Sequence, residues 1–421
     1  MAIIKFHGGC HQIGMSCIEI DTKKSKILLD CGMDPNKNTI PSIDTSDIDA
    51  LLVSHAHLDH CGAIPCFNFK RIYCTAPTAD LMYILWKDVS KLSKIYGEKE
   101  IKEALDTIET VNYREKRKIT EDITMEMYDA GHILGSSSIY LDIDGKKVLY
   151  TGDINERETR TLKPADTDIE EIDTLIIEST YGSPLDIKPA RKALERQLIE
   201  EISSTIEKGG KVIIPVFAVG RAQEIMAVIY HYRNSGVLED VPVYVDGSII
   251  HTTGVYLSYS HWLNPKIRRM LECGQNPFGY VRKADSSVFN EEPCIIISTS
   301  GMLQGGPVLQ YLKLLKYPQN KIILTGYQAE DTLGRALEEG AKVIKPFKHE
   351  IPVRGEVVKI EFSAHGDYNS LIRYLKKIPT PEKVFVVHGE RYQSLSLAMT
   401  IWKSLKVPTF APPVGSVLPL F

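Results

Sequence analysis

The sequence predicts an α/β protein in which one domain is inserted into another. Its 421 residues exceed the roughly 100–200 that usually share one core, so two domains are expected. The first half is a series of short β segments closed by turns. Near residue 185 this gives way to a regular alternation of helix and strand, and near residue 362 the first pattern returns.

In chain order, AIIKFHGG, SCIEI, KILLDCG, ALLVSHAH, ITMEMYDAGH, SSIYLDIDG and KKVLYTGD alternate or run apolar, as strands of about 4–8 residues do. Several end in a polar side chain, the usual way for strands to deliver groups from distant sequence into one crevice. Between them, roughly 78–118 is charged with a helical pattern and reads as solvent-facing helices. From 185 onward come the helix PARKALERQLIEEISSTIEKGG, the strand KVIIPVF, the helix GRAQEIMAVIYHY and the strands VPVYVDG, PCIIISTSG and KIILTGY. Such alternation suggests a second, largely parallel sheet. EFSAHGD and KVFVVHGE then read as strands of the first kind, which sets the boundaries at 1–184, 185–361 and 362–421.

Composition narrows the function classes. The chain is 43% hydrophobic, with Lys+Arg 50 against Asp+Glu 54 and a formal charge of -4. The whole-molecule field therefore does not attract a polyanion, and nucleic-acid binding needs a locally basic groove or metal ions. The cysteines form no C-x-x-C pair and the N-terminus has no signal layout, which reads as a cytoplasmic protein with free thiols. No apolar run approaches the roughly 20 residues that span a bilayer, so no membrane partner is expected.

The centre of the reading is Ser54-His55-Ala56-His57-Leu58-Asp59-His60, which follows the apolar strand DIDALLVS. A lone histidine is usually a core or surface residue, but three histidines and an aspartate at H-x-H-x-D-H spacing point to metal, and imidazole with carboxylate suits zinc. Further donors stand at strand ends: Asp30 in LLDCG, His132 in DAGHILGSS, Asp153 in YTGDIN and His388 in VVHGE. Taken singly, Asp30, two residues before Gly32, and Asp153, directly after Gly152, would cap turns.

In this order these motifs resemble the metallo-β-lactamase superfamily, over essentially the whole chain. The resemblance implies a four-layer αββα fold with a dinuclear site at the shared edge of its two halves. It implies that His55, His57 and His132 bind one metal, that Asp59, His60 and His388 bind the other, and that Asp153 bridges them. Asp30 would orient a ligand from behind. Two Zn2+ are the expected cofactors, with manganese or iron fitting the same ligands. A water shared by such ions has its pKa lowered toward about 7 and supplies hydroxide as the nucleophile.

Beyond these motifs come Glu178 in IIESTYG, His365 in FSAHGD and His388 in VVHGE, with the insertion between the first two. This resembles the β-CASP nuclease group. VFAVGRAQE around Arg221, ISTSGMLQGGP with Ser298, Ser300 and Gly301, and LTGYQAEDTLGR ending at Arg335 are similar to corresponding β-CASP stretches. Glycine-rich turns let backbone N–H groups approach phosphate oxygens, and arginine pairs with them bidentately; the plain alternative is scaffold. Ser363 and Asp367 are weaker candidates for the same phosphate pocket. The resemblance makes His365 the catalytic general acid that protonates the leaving 3′-oxygen, Glu178 its orienting partner, and Asp59 a catalytic ligand. Histidine rather than an apolar residue at 388 resembles the RNA-processing members.

The expectation is therefore a metal-dependent ribonuclease acting on single-stranded RNA in processing or decay, as 5′-to-3′ exonuclease, endonuclease or both. The chain begins at the catalytic domain and ends at Phe421, which resembles compact archaeal members of the cleavage-factor type or RNase J. Three alternatives compete with it: a DNA nuclease of the same fold, separated by digesting matched RNA and DNA strands; a non-catalytic RNA-binding scaffold, which usually loses metal ligands; and a small-ester hydrolase, which leaves the insertion, His365 and Glu178 without a use. The remaining histidines, His7 and His11 among them, read as structural. The apolar tail FAPPVGSVLPLF packs as an edge strand in a monomer, while similar tails join subunits in such relatives. A homodimer therefore stays open, as does a larger RNA-processing complex.

Overall fold

The computed structural model describes residues 2–34, 37–290 and 292–421. The chain forms two compact units, one of Met1–Glu158, Leu162–Ile187 and His365–Phe421, the other of Thr159–Thr161 and Lys188–Ala364.

The first unit holds two seven-stranded sheets. One runs in the order Val417–Pro419, Ile3–Gly8, Cys17–Asp21, Lys26–Leu29, Ala50–Leu52, Ile72–Cys74 and Ile108–Thr110. The other runs Thr409–Phe410, Lys383–Val387, Thr174–Glu178, Lys146–Tyr150, Ser137–Ile143, Ile123–Asp129 and Arg117–Lys118. In each, meandering antiparallel strands give way to parallel ones.

Side-chain alternation sorts the layers. In Lys383–Val387, Phe385 and Val387 enter a core shared with Ile4, Phe6, Ile18 and Ile20 of the first sheet. Val384 and Val386 enter another, with Leu371 and Tyr374 of the helix Tyr368–Lys377 and Leu397 and Ile401 of the helix Arg391–Leu405. A strand covered on both faces reads as a continuous apolar run, KVFVV here, because neither face meets water. Sheet packs on sheet with helices outside, giving the αββα layering that the motifs imply.

Thr174–Glu178 and Lys383–Val387 are parallel neighbours, in register from Thr174↔Lys383 to Glu178↔Val387. The insertion leaves after the first of these strands and returns before the second, so a long excursion in sequence costs no break in the sheet. The tail strand Val417–Pro419 pairs antiparallel with Ile3–Gly8 and buries Leu420, so it forms part of this unit's own sheet.

The second unit carries a six-stranded sheet in the order Arg282–Lys283, Val243–Val245, Cys294–Ser298, Lys211–Pro215, Lys321–Leu324 and Glu356–Lys359, every pairing parallel. Its central strands KVIIP, CIIIS and KIIL are wholly buried.

Two sequence expectations need correction. The stretch 78–118 is not continuously helical: helices span Ala76–Leu92 and Glu98–Asp106, and strands Ile108–Thr110 and Arg117–Lys118 follow. Nor does the first helix merely face solvent, since Trp86 is fully buried and its indole N–H donates to the Cys61 carbonyl at 3.0 Å. EFSAHGD is not a strand. The strand ends earlier, at Lys359, and belongs to the inserted sheet, while the segment that follows is a loop leading to Asp367. There the Asp367 carboxylate accepts from the Ser370 N–H at 2.8 Å as the N-cap of Tyr368–Lys377 and pairs with Arg157 at 3.0 Å; capping and ion pairing, rather than a phosphate pocket, account for it.

Candidate metal centre

The site lies where strands of the first unit end. Ala50–Leu52 runs into the loop holding His55, and His57 is the N-cap of the single turn Leu58–Cys61, which carries Asp59 and His60. His132 follows Ile123–Asp129, Asp153 follows Lys146–Tyr150, Glu178 is the last residue of its strand, and His388 comes directly after Val387. Asp30 and His388 both adopt left-handed backbone, at φ 60 and 49. Such a conformation costs a non-glycine residue on the order of 1–3 kcal/mol and persists where surrounding structure enforces it.

The side chains converge as two donor groups. The ligand atoms of His55, His57, His132 and Asp153 lie within 4.8 Å of one another, as do those of Asp59, His60 and His388. Asp153 touches both groups. Its Oδ2 is 3.5 Å from His55 Nε2 and 3.6 Å from His132 Nε2, and its Oδ1 is 3.3 Å from His60 Nε2 and 3.3 Å from His388 Nδ1. His388 Nε2 is 3.3 Å from Asp59 Oδ2.

These residues fit a pair of cations. His55 Nε2 and His132 Nε2 approach the same nitrogen, His57 Nδ1, at 3.2 and 3.0 Å, and one ring nitrogen satisfies only one such neighbour. Both oxygens of the buried Asp153 and Nε2 of His60 have no hydrogen-bond partner, an arrangement that is costly unless something positive satisfies them. An ion with tetrahedral bonds of about 2.0–2.1 Å holds its ligand atoms roughly 3.3 Å apart, close to the separations seen. Imidazole with carboxylate is the donor chemistry of zinc and its transition-metal neighbours.

The charge pattern agrees. Burial pushes His55 and His132 well below the ordinary imidazole range and His57 down to about 4. Burial also works against charge on His60, but the Asp153 and Asp30 carboxylates outweigh it and hold that ring well above the range. Asp153 is held well below the carboxylate range, where His388 and His60 outweigh its own burial. The carboxylate is thus ionised and gathers positive charge around it.

Asp30 sits behind this array. Its Oδ1 accepts from the Ser54 backbone N–H, and its Oδ2 accepts from the Ser54 and Tyr150 hydroxyls, all at 2.7 Å. His60 Nδ1 lies 2.7 Å from the same Oδ2, leaving Nε2 directed at Asp153. Replacing Asp30 with Asn is expected to lower metal affinity about 10- to 100-fold, the usual effect of losing such a support, as read by competition with a chromogenic chelator. The motif reading missed Ser54, Tyr150 and Thr180, whose Oγ1 is 3.1 Å from His388 Nδ1. Their one sequence signal is adjacency to H-A-H, to T-G-D and to Glu178.

Gly32 enforces the close packing beneath Asp59. A Cβ there would stand 1.7 Å from the Asp59 carbonyl oxygen, so Gly32→Ala has to displace the backbone of a ligand. The expected result is fewer bound ions per chain, measured by mass spectrometric metal analysis, together with a loss of about 1–3 kcal/mol in denaturant unfolding.

Across from the ligands, His365 Nδ1 lies 3.1 Å from Glu178 Oε1 and its Nε2 lies 3.7 Å from Asp153 Oδ2. Glu178 is fully buried and also accepts from the Ile154 N–H at 2.8 Å. The carboxylate fixes which edge of the ring faces the ligand cluster. The bland histidines are elsewhere: His7 Nε2 is 2.9 Å from Glu19, and His11 Nε2 is 3.0 Å from the Ala411 carbonyl.

The phosphate candidates Arg221, Ser298, Ser300, Gly301, Arg335 and Ser363 all belong to the second unit. Ser298 ends its strand fully buried, Ser300 Oγ donates to the Gly305 carbonyl at 3.3 Å, and Ser363 is buried. Arg221 opens the helix Arg221–Asn234 and donates to the Thr325 carbonyl, as a scaffold role requires. Arg335 is spent on an i,i+4 pair with Glu339 at 2.7 Å.

Comparison with known proteins places this arrangement. Residues 17–180 match the metallo-beta-lactamase superfamily domain, 222–337 the Beta-Casp domain, and 350–412 the Zn-dependent metallo-hydrolase RNA specificity domain. An RNase J-like protein of Methanocaldococcus jannaschii is 70% identical over 421 residues, 100% of both chains. The chain belongs to the β-CASP family of the metallo-β-lactamase superfamily. It is a β-CASP metallo-hydrolase. Transcription termination factor FttA of the same organism is 39% identical, over 97% of this chain and 70% of that one, and FttA of Methanothermobacter thermautotrophicus is 38% identical over 96% and 70%. A crystal structure of a protein of unknown function from Enterococcus faecalis shares the fold, with a TM-score of 0.57 at 13% identity over 99% of each chain. The metallo-beta-lactamase match spans His55 to Glu178, and the RNA specificity match spans His365 and His388. No helix among the described residues is long and apolar enough to cross a membrane.

Proposed function

We propose that this β-CASP chain is a ribonuclease that hydrolyses phosphodiester bonds of single-stranded RNA with two bound zinc ions. The observation that carries the reading is the His365–Glu178 pair facing the ligand cluster, with His365 Nε2 3.7 Å from Asp153. A binding scaffold has no use for a proton donor there. The 70% identity to an RNase J-like protein over its full length supports the same reading.

His55, His57 and His132 would hold one ion, Asp59, His60 and His388 the other, and Asp153 both; manganese or iron suits the same donors. Such a pair of ions supplies hydroxide at neutral pH and stabilises charge on the phosphate oxygens. The chain's own residues do the rest. Asp30 keeps His60 in one orientation, Glu178 holds the Nδ1 edge of His365, and His365 Nε2 gives its proton to the departing 3′-oxygen. Ser298, Ser300, Gly301, Ser363 and the two arginines are secondary candidates for phosphate contacts, Arg221 and Arg335 only if they leave their present partners.

The test is an internally labelled single-stranded RNA of about 30 nucleotides, offered linear with different 5′ ends, as a circle, and as matched DNA. Chelated protein and an Asp59→Ala/His60→Ala double variant are the controls. Mononucleotide release that depends on the 5′ end and spares the circle marks a 5′-to-3′ exonuclease, and internal cuts in the circle mark an endonuclease. Cleavage confined to DNA, or no metal-dependent cleavage at all, rejects the proposal.

A further inference from the structure

Within the inserted unit, Val343–Ile344 and Ile351–Pro352 form an antiparallel hairpin that stands apart from the six-stranded sheet. Its base is fixed. Ile344 is buried in the core with Leu312, Leu315 and Leu337, and Ile351 and Val353 pack against it. The Val353 N–H donates to the Lys342 carbonyl, and the Arg354 and Gly355 N–H groups donate to the Leu315 carbonyl, each at 2.8 Å. What this rigid base displays is chemically uniform. Lys342, Lys345, Lys348, His349 and Arg354 are all exposed, and residues 342–354 carry four cationic side chains against the one carboxylate Glu350 in a chain of formal charge -4.

Among the described residues, the hairpin's three lysines and Arg354 make no ion pair, while Glu338 pairs with Lys359 at 2.8 Å, Glu339 with Arg335 at 2.7 Å and Glu356 with Lys321 at 3.0 Å. Between Lys345 and Lys348 the loop presents Phe347, which is 56% exposed. Core packing does not explain a phenylalanine at a hairpin tip. Beside the base, Lys316 stacks on Tyr317, 4.8 Å from a ring that is itself 44% exposed.

We propose that this hairpin is a binding site for single-stranded RNA, with Lys345 and Lys348 on the phosphates and Phe347 stacked on a base. Cations interleaved with an exposed aromatic ring suit a single strand, whose bases are free to stack. An acidic protein surface would use the charges and leave the ring without a partner. The anchored base means that little of the loop has to be ordered on binding. None of the metal-ligand candidates lies in the hairpin's unit. The proposal rests on the ribonuclease reading and names a second place where that enzyme holds its substrate.

The experiment measures binding of a fluorescein-labelled single-stranded RNA by the full chain in chelator, between about 50 and 200 mM salt, with polyglutamate as a second ligand. For Lys345→Gln/Lys348→Gln, the slope of log K against log salt should fall by about 1.4, since each phosphate contact on a single strand contributes about 0.7. For Phe347→Ala, affinity should fall about 5- to 100-fold with the slope unchanged. Wild-type slope and affinity in both variants overturn the proposal. It is also overturned if the lysine substitutions weaken polyglutamate as much as RNA while Phe347→Ala changes neither, which would make the hairpin a dock for an acidic protein. Cleavage of the same RNA by wild-type protein with metal restored is scored separately. Cleavage with unaltered binding in the variants removes only the hairpin, and binding without cleavage removes only the ribonuclease reading.

Discussion

Replacing Asp153 with asparagine is expected to reduce the proposed RNA hydrolysis by on the order of 10³-fold or more, and to lower the number of metal ions bound per chain. The size follows from position. Asp153 reaches both donor groups, 3.3 Å from His60 and His388 and 3.5 to 3.6 Å from His55 and His132. The amide keeps the shape but removes the charge, and one amide oxygen cannot serve two cations as two carboxylate oxygens do. Metal chemistry at such a site is worth several kcal/mol of transition-state stabilisation, and each 1.36 kcal/mol is a factor of ten. Metal analysis by mass spectrometry and cleavage of a labelled RNA would be read together, with circular dichroism to establish folding. A folded variant that keeps two ions and full activity would show that Asp153 is a structural carboxylate.

How much of this was legible in the sequence depended on the range of the interaction. H-A-H-L-D-H is local, because one strand end and one helical turn hold His55, His57, Asp59 and His60 together, so spacing alone revealed it. The layering was legible only through the resemblance that the motifs carry, although the burial of KVFVV and TLIIE on both faces accords with it. Less visible were contacts made by register. Glu178 and His388 become neighbours only through the parallel pairing Glu178↔Val387, which closes over the whole insertion. The supports of Asp30 come from residues 24 and 120 positions away, Ser54 and Tyr150, and a serine or tyrosine carries no sign in sequence that its hydroxyl will be used. EFSAHGD misled for a related reason. Its donors resemble those at the earlier strand ends, but Asp367 is a helix cap, and capping residues are read only when the helix beyond them is recognised.

Replacing His365 with alanine should separate proton donation from metal binding. The ring is not needed to complete either donor group, so metal content should stay at the wild-type level. On RNA, where the departing 3′-oxygen is a poor leaving group unless protonated, kcat should fall about 10²- to 10⁴-fold, the usual contribution of a positioned general acid. On a phosphodiester with a p-nitrophenol leaving group, which departs without protonation, the same variant should lose far less. Glu178→Gln should fall between, because the amide still reaches His365 Nδ1 but offers it one oxygen in place of the two carboxylate oxygens that lie 3.1 and 3.2 Å away in the native pair. An equal loss on both substrates would mean that His365 positions the phosphate or the ligand cluster rather than donating a proton. Loss of metal along with activity would make it a ligand beside Asp153, whose Oδ2 lies 3.7 Å from its Nε2.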